Sequence, residues 1–67
     1  MRIKELRTQR HITQLKMAMD LNMSQNTISR YENGEREPGI AELIRIADYF
    51  HVSFDYLVGR ERSDTAP

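Results

Sequence analysis

Between Thr13 and Gly34 two short amphipathic stretches follow each other so closely that only a tight turn fits between them. Thr13 and Ser24 each stand one residue before such a stretch, where a hydroxyl accepts a hydrogen bond from a free amide of the first helical turn. Ile12 with Met17, and Met23 with Ile28, flank these caps as hydrophobic staples, which set the angle at which the chain approaches each helix. The turn is therefore specified twice. Two helices crossing steeply through a three- to four-residue turn make the helix-turn-helix unit, whose second helix can lie in the major groove of a duplex.

The rest of the chain limits what can surround that unit. Its 67 residues make one domain, and a domain of this size buries only about 60% of the surface its unfolded form exposes. Without cysteine there is no disulfide framework and no thiolate zinc site, and the two isolated histidines, His11 and His51, cannot complete a metal shell. Neither metal nor cofactor is expected, and the core alone holds the fold together. Apolar runs are only a few residues long and the N-terminus is polar, so neither a membrane span nor a signal peptide is expected, and a reducing cytoplasm is. No ligand pocket can be read. No repeat is visible, and the polar, charged segment 60–67 reads as a disordered tail behind a domain over 1–59.

Net charge is zero, whereas nucleic-acid-binding domains are usually basic. The charges are nonetheless unevenly placed. Six basic residues (Arg2, Lys4, Arg7, Arg10, Lys16, Arg30) face two acidic ones up to Arg30, a balance of +4, and four basic face eight acidic ones from Tyr31 onward, a balance of −4. Such a dipolar chain can turn its basic half to phosphate while its acidic half discourages wrong docking. In so short a chain a chance split remains the alternative.

Five helices can be traced. Ile3, Leu6 and the stem of Arg7 give a first, from about Arg2 to Arg10. Met17, Ala18 and Leu21 form the inward face of the second, and Ile28 and Tyr31 that of the third, which spans about 24–33 and ends at Gly34. Pro38 then forces an extended connection. A fourth helix begins near Gly39, with Ile40, Leu43, Ile46, Ala47 and Phe50 on one stripe and Glu42 near the positive end of the dipole. The fifth has Ser53 as cap, Val52 and Leu57 as staple, and Gly59 as its end. There is no strand signal.

Taken together, Ile3, Leu6-Arg7, Thr13-Gln14, Ala18, Leu21, Ser24-Gln25, Thr27 to Gly34, Arg36, Pro38, Ile46-Ala47, Phe50, Val52-Ser53 and Asp55-Tyr56-Leu57 resemble the phage-repressor and Cro-like helix-turn-helix family of bacterial regulators, also called the xenobiotic-response-element family. The resemblance runs from Met1 to about Gly59. It implies an all-α fold, a compact five-helix lambda-repressor-like DNA-binding domain with helices two and three as the helix-turn-helix. It also implies a cytoplasmic regulator of bacterial or phage origin, found on the nucleoid when bound, with repression as the favoured outcome. The chain departs from the family's glycines at three helix ends, where His11, Asn22 and His51 stand. Each is expected at positive φ, a conformation in which asparagine and histidine are enriched among non-glycine residues.

Gln25, Asn26, Ser29 and Arg30 lie on the outward, N-terminal part of the third helix, opposite Ile28 and Tyr31. Glutamine and asparagine can pair bidentately with adenine, and arginine with guanine, so these types suit base reading; a merely solvated polar face is the alternative. By the resemblance Gln25, Asn26 and Arg30 take the base-reading role, while Gln14, Ser24, Thr27, Asn33 and Arg36 are candidates for phosphate contacts near the helix starts. Arg10 and Lys16 can add charge. For each of these an ordinary cap or exposed polar residue is the competing reading. The resemblance further implies a partly buried structural ion pair between Arg7 and Glu32, with solvated charges as its alternative.

Catalysis is not expected, because no acid–base pair, nucleophile or metal shell is available. The expected partner is a double-stranded DNA operator, bound by a homodimer that forms on DNA if not before, since one small domain covers too few base pairs to single out a site. The fifth helix, near the dyad in the family, is the expected pairing surface through Tyr56 and Val58. The competing function is an interaction module, either a protein adaptor or an antitoxin. It is favoured by neutral charge and by Leu15 and Met19, which stand where the family prefers polar residues. That pair either widens the core contact as flexible filler or forms an exposed apolar stripe for a second protein.

Overall fold

Every helix but the first begins on extended backbone at its cap, and three of those caps are hydroxyls. Five helices run through residues 1–60, the part of the chain that the computed structural model describes: α1 (Ile3–Gln9), α2 (Gln14–Leu21), α3 (Gln25–Asn33), α4 (Ile40–Phe50) and α5 (Phe54–Val58). Thr13, Ser24 and Ser53 accept from the backbone N–H of Lys16, Thr27 and Tyr56, each at 3.0 Å. Ile12, Met23 and Val52 pack against the core beside buried Met17, Ile28 and Leu57, as the staples require. No strand occurs among the described residues, and no helix there is long and apolar enough to cross a membrane. The expected tail lies, from residue 61 on, outside the described residues.

The buried face of each helix follows its apolar spacing. Ile3 and Leu6 of α1, Met17, Ala18 and Leu21 of α2, Ile28 and Tyr31 of α3, Leu43, Ile46, Ala47 and Phe50 of α4, and Leu57 of α5 form one cluster. Phe50, Ile46, Ile28, Met17 and Leu57 are fully buried, and each such side chain contributes about 1.5–3 kcal/mol through the area it removes from water. α2 packs on α3 and α4 on α5, while α1 touches both α3 and α4 and α2 also meets α4. The helix-turn-helix thus rests on a platform of the other three helices.

One apolar expectation is corrected, and between two open alternatives the structure decides. Ile40 is 64% exposed, not part of the α4 core stripe: at about 100° per residue it lies roughly 70° from the middle of the buried face, on the first residue of the helix where nothing stands over it. Leu15 and Met19 are 54% and 70% exposed, so they do not widen the core contact. On α2 they point well away from the Met17–Ala18–Leu21 face, and no packed element reaches them.

Helix ends carry the backbone strain. His11, Asn22 and His51 have φ of 58°, 59° and 57°, as expected from their types, and Gly34 supplies φ 74° after α3. His11 stands one residue beyond the cap of α1, whereas Asn22 and His51 are themselves the caps of α2 and α4. Arginines from elsewhere in the fold satisfy the last carbonyls of those two helices. Arg45 Nη2 donates to the Leu21 carbonyl, and Arg10 Nη1 to the Phe50 carbonyl, with the Arg10 guanidinium 5.3 Å from the Phe50 ring centroid. Tyr49 adds a side-chain tie, its hydroxyl donating to Asp20 Oδ2 at 2.6 Å. Burial, reinforced by Asp20, pushes the Tyr49 phenol up to about 12.

Neither the Asn22 nor the His51 side chain makes a hydrogen bond among the described residues, so only the backbone uses these positions. Asn22→Gly and His51→Gly should therefore leave the melting temperature unchanged or raise it. Asn22→Val should cost about 1–2 kcal/mol, the left-handed penalty of a β-branched residue. Thermal unfolding monitored by circular dichroism distinguishes the two directions; a loss of about 1 kcal/mol in both glycine variants would contradict this account.

Candidate nucleic-acid interface

Burying Ile28 and Tyr31 turns the opposite side of α3 outward. At about 100° per residue, Asn26, Ser29, Arg30 and Asn33 span that outer arc, and Gln25 lies on its flank above Ser29 and Glu32 at i, i+4 and i+7. Gln25, Asn26, Arg30 and Asn33 are exposed and Ser29 is half-buried. Ser24 and Thr27 are joined at the start of the helix, their hydroxyls 2.8 Å apart. Asn33 donates to Ser29 Oγ at 3.4 Å, a weak bond. Arg36 follows in the exposed loop after α3.

Beneath this arc lies a polar cluster joining three helices. Arg7 Nε donates to Glu32 Oε2 at 2.6 Å and Arg7 Nη2 to Glu32 Oε1 at 3.0 Å, with the two side chains 11% and 2% exposed. The third edge of the guanidinium serves the backbone, Nη1 donating to the Ile12 carbonyl at 2.8 Å. Gln14 Nε2 donates to the same Glu32 Oε1 at 2.9 Å. Burial alone would raise the Glu32 carboxyl; hydrogen bonds from Arg7 and Gln14, with the charges of Arg7 and Lys4, outweigh it and hold the group below its ordinary value. Glu32 is therefore ionised near neutral pH. Its hydrogen bond in turn raises the Arg7 guanidinium.

The structure redistributes the basic half of the chain. Arg10 is drawn to the end of α4. Arg2 donates to the Tyr56 carbonyl at 2.9 Å with its guanidinium 4.5 Å from the Tyr56 ring centroid, and Lys16 pairs with Asp20 at 3.1 Å. Lys4, Arg30 and Arg36 are exposed and make no hydrogen bond or ion pair among the described residues. Charge counting could not separate these groups, because an arginine that seals a carbonyl and one that meets solvent are alike in composition. Gln14 is the other residue whose surroundings the sequence concealed. It lines an open notch of about 340 Å³ with Gln25, Asn26 and Ser29. Among the described residues no three His, Cys, Asp or Glu gather to hold a metal ion.

Comparison with known proteins identifies the family that shares this fold. A family model described as helix-turn-helix matches residues 3–57. The chain is 37% identical over 60 residues to the HTH-type transcriptional regulator ImmR of Bacillus subtilis, covering 90% of this chain and 47% of ImmR. It is 40% identical over 68 residues to the cryptic phage CTXphi transcriptional repressor RstR of Vibrio cholerae, covering 96% of this chain and 61% of RstR. The antitoxin PezA of Streptococcus pneumoniae is 37% identical over 60 residues, covering 90% of this chain and 38% of PezA. The chain thus spans about half the length of the curated relatives it matches. No solved structure matches it.

Removing one partner of a buried ion pair strands the other charge, at a typical cost of about 3–5 kcal/mol, whereas an exposed pair is worth about 0–1 kcal/mol. Glu32→Ala should show the larger loss in urea. The sign with pH follows from the depressed carboxyl: the unfolded chain takes up the proton first, near the ordinary value of 4.5, so the contribution of Glu32 is complete above that pH. It is lost as pH falls through the folded value. The gap between wild type and Glu32→Ala should accordingly be constant around neutrality and narrow below about pH 4.5; a gap that widens on acidification would refute the assignment.

Proposed function

The chain belongs to the helix-turn-helix family, and on that premise we propose that it binds duplex DNA sequence-specifically as a transcriptional regulator, with α3 in the major groove. The observation that carries this is the outer arc of α3. Gln25, Asn26 and Arg30 are exposed there without a hydrogen-bond partner among the described residues, held by a helix whose other side is anchored in the core. Amide and guanidinium groups offered in this way match the donor and acceptor edges of adenine and guanine. Ser29 completes the base-reading set. Gln14 at the start of α2, and Ser24, Thr27, Asn33 and Arg36 around the two ends of α3, serve the phosphates. Repression is the favoured outcome, in keeping with the relative that is named a phage transcriptional repressor. Such a regulator works in the cytoplasm, on the nucleoid.

Specificity requires two copies, because one domain inserts one helix and covers only a few base pairs. In a two-fold dimer the recognition helices lie about 34–36 Å apart, so the half-sites are centred roughly 10 base pairs apart. α5 is the proposed pairing element. Tyr56 and Val58 are half-buried in the single chain and lean on the core, which leaves part of each for a partner. Two observations favour a second reading, a protein-binding adaptor or antitoxin: Leu15 and Met19 form an exposed apolar pair, and one relative is named an antitoxin.

Selection from a random duplex pool, followed by titration at two salt concentrations, tests the DNA reading. Arg30→Ala should lose about 1–3 kcal/mol on the selected site and relax discrimination at one base position. Arg36→Ala should weaken all duplexes alike and reduce the salt slope by about 1. Binding no tighter to any selected duplex than to random DNA would transfer the function to the protein-partner reading. Sedimentation on the selected duplex should give two protomers per site, and a single protomer indifferent to inversion of one half-site would exclude the dimer.

A further inference from the structure

At the C-terminal end of α3 a second notch, of about 240 Å³, is lined by Lys4 of α1, by Tyr31 and Glu32 of α3, and by Gly34, Arg36 and Glu37 of the loop that follows. Lys4 and Arg36 are exposed, and neither side chain makes a hydrogen bond or ion pair among the described residues. Tyr31 is 7% exposed and its ring belongs to the core, yet its hydroxyl has no hydrogen-bond partner there. No fully buried side-chain oxygen or nitrogen among the described residues lacks a partner, so the hydroxyl is the part of Tyr31 that meets solvent, and the notch is where it does so. Glu32 does not compete for these donors, because two hydrogen bonds from Arg7 and one from Gln14 already occupy its carboxylate. Glu37, exposed and without a partner among the described residues, is the acidic group left on the notch.

An ammonium, a guanidinium and a phenol thus share one notch, each able to donate and none supplied with an acceptor. A phosphodiester offers only acceptors and a negative charge, which suits all three. With nine residues α3 is about 13 Å long, and the major groove is about 12 Å wide. A helix seated in that groove therefore reaches from one phosphate wall to the other, and the notch at its C-terminal end comes to a strand of backbone. Resting on the DNA-binding function proposed above, we infer that Lys4 and the Tyr31 hydroxyl, together with Arg36, bind one phosphate of the duplex backbone at the C-terminal end of α3. Lys4 brings α1, which carries no base-reading residue, onto the strand that α3 meets, and Tyr31 gives the site a donor that the core holds still. Glu37 opposes the phosphate and limits the strength of the contact.

Tyr31→Phe keeps the ring in the core and removes only the oxygen, while Lys4→Gln keeps a long polar side chain and removes only the charge. Each is compared with wild type on the site enriched from a random duplex pool, on its single-base variants and on an unrelated duplex, at two salt concentrations, with urea unfolding as the control on the fold. Tyr31→Phe should weaken every duplex alike by roughly 2- to 10-fold, the net worth of one hydrogen bond, and leave the salt slope as it is. Lys4→Gln should also weaken every duplex alike and should reduce the salt slope by about 1. Glu37→Gln, which removes the opposing charge, should tighten every duplex. Because Lys4 is exposed on α1, its variant keeps the test decisive even where Tyr31→Phe disturbs the core. Unchanged affinity in either Tyr31→Phe or Lys4→Gln would overturn the inference, as would a loss confined to one base position, which would put the group at a base edge. Unchanged duplex affinities in both variants, with inorganic phosphate shifting the Tyr31 ring resonances of the free wild-type protein, would make the notch a site for a free anion and overturn its assignment to the duplex. If wild type binds no duplex, the DNA-binding function itself fails and this inference falls with it, a result distinct from variants that bind as wild type does.

Discussion

A single carboxylate holds the recognition unit to its platform. Glu32 on α3 receives two N–H groups from Arg7 on α1 and one from Gln14 at the start of α2, and the remaining edge of Arg7 reaches the Ile12 carbonyl in the α1–α2 turn. Apolar packing is tolerant of small rotations, since side chains of similar volume can slide past one another at modest cost. A planar guanidinium bound to a carboxylate at two points is not, because both hydrogen bonds lengthen together when either plane turns. The orientation of α3, and with it the direction of its outer arc, is therefore fixed more sharply than the core alone would fix it. Taking two charges out of water is costly, so what this pair contributes is geometry as much as stability.

Among the described residues, arginine closes helices as often as it stands exposed without a side-chain partner. Arg10 and Arg45 donate to the last carbonyls of α4 and α2, which lack intrahelical partners and where the dipole favours a cation, and Arg2 donates to the Tyr56 carbonyl of α5, which also accepts from the Gly59 N–H. Two of those helices end in Asn22 and His51 held at positive φ, where a glycine would sit without strain. A cation at the last carbonyl offsets part of that cost. Lys4, Arg30 and Arg36, rather than the whole basic half, are accordingly the exposed cations near α1 and α3 that make no hydrogen bond or ion pair among the described residues.

Much of the architecture was legible because it is local. A hydroxyl before an apolar stretch, a staple residue on either side, or a histidine where a helix must end in the left-handed region all act within a few residues of chain. Thr13, Ser24, Ser53, Asn22 and His51 accordingly do in the fold what their neighbours in the chain imply. Ile40 shows where periodicity stops being informative: its angle places it at the edge of the α4 stripe, and whether an edge position is covered depends on another helix. Leu15 and Met19 make the same point from the opposite side, since their apolar character alone does not say whether anything packs over them.

By itself, then, the amino-acid sequence determined the number, order and ends of the helices and the side of α3 that turns outward, because caps, staples and a 3.6-residue period are short-range consequences of backbone geometry. Only the tertiary structure decided which polar groups remain available. Gln14 and Glu32 are 18 residues apart in the chain and Arg10 and Phe50 are 40 apart, and each pair is joined by helices that meet only after the core has formed. Hydrogen bonding over such separations leaves no periodic mark in the sequence. It nevertheless determines that the Gln14 amide and the Arg10 guanidinium are engaged within the fold, and that Arg30 is left exposed with no partner among the described residues.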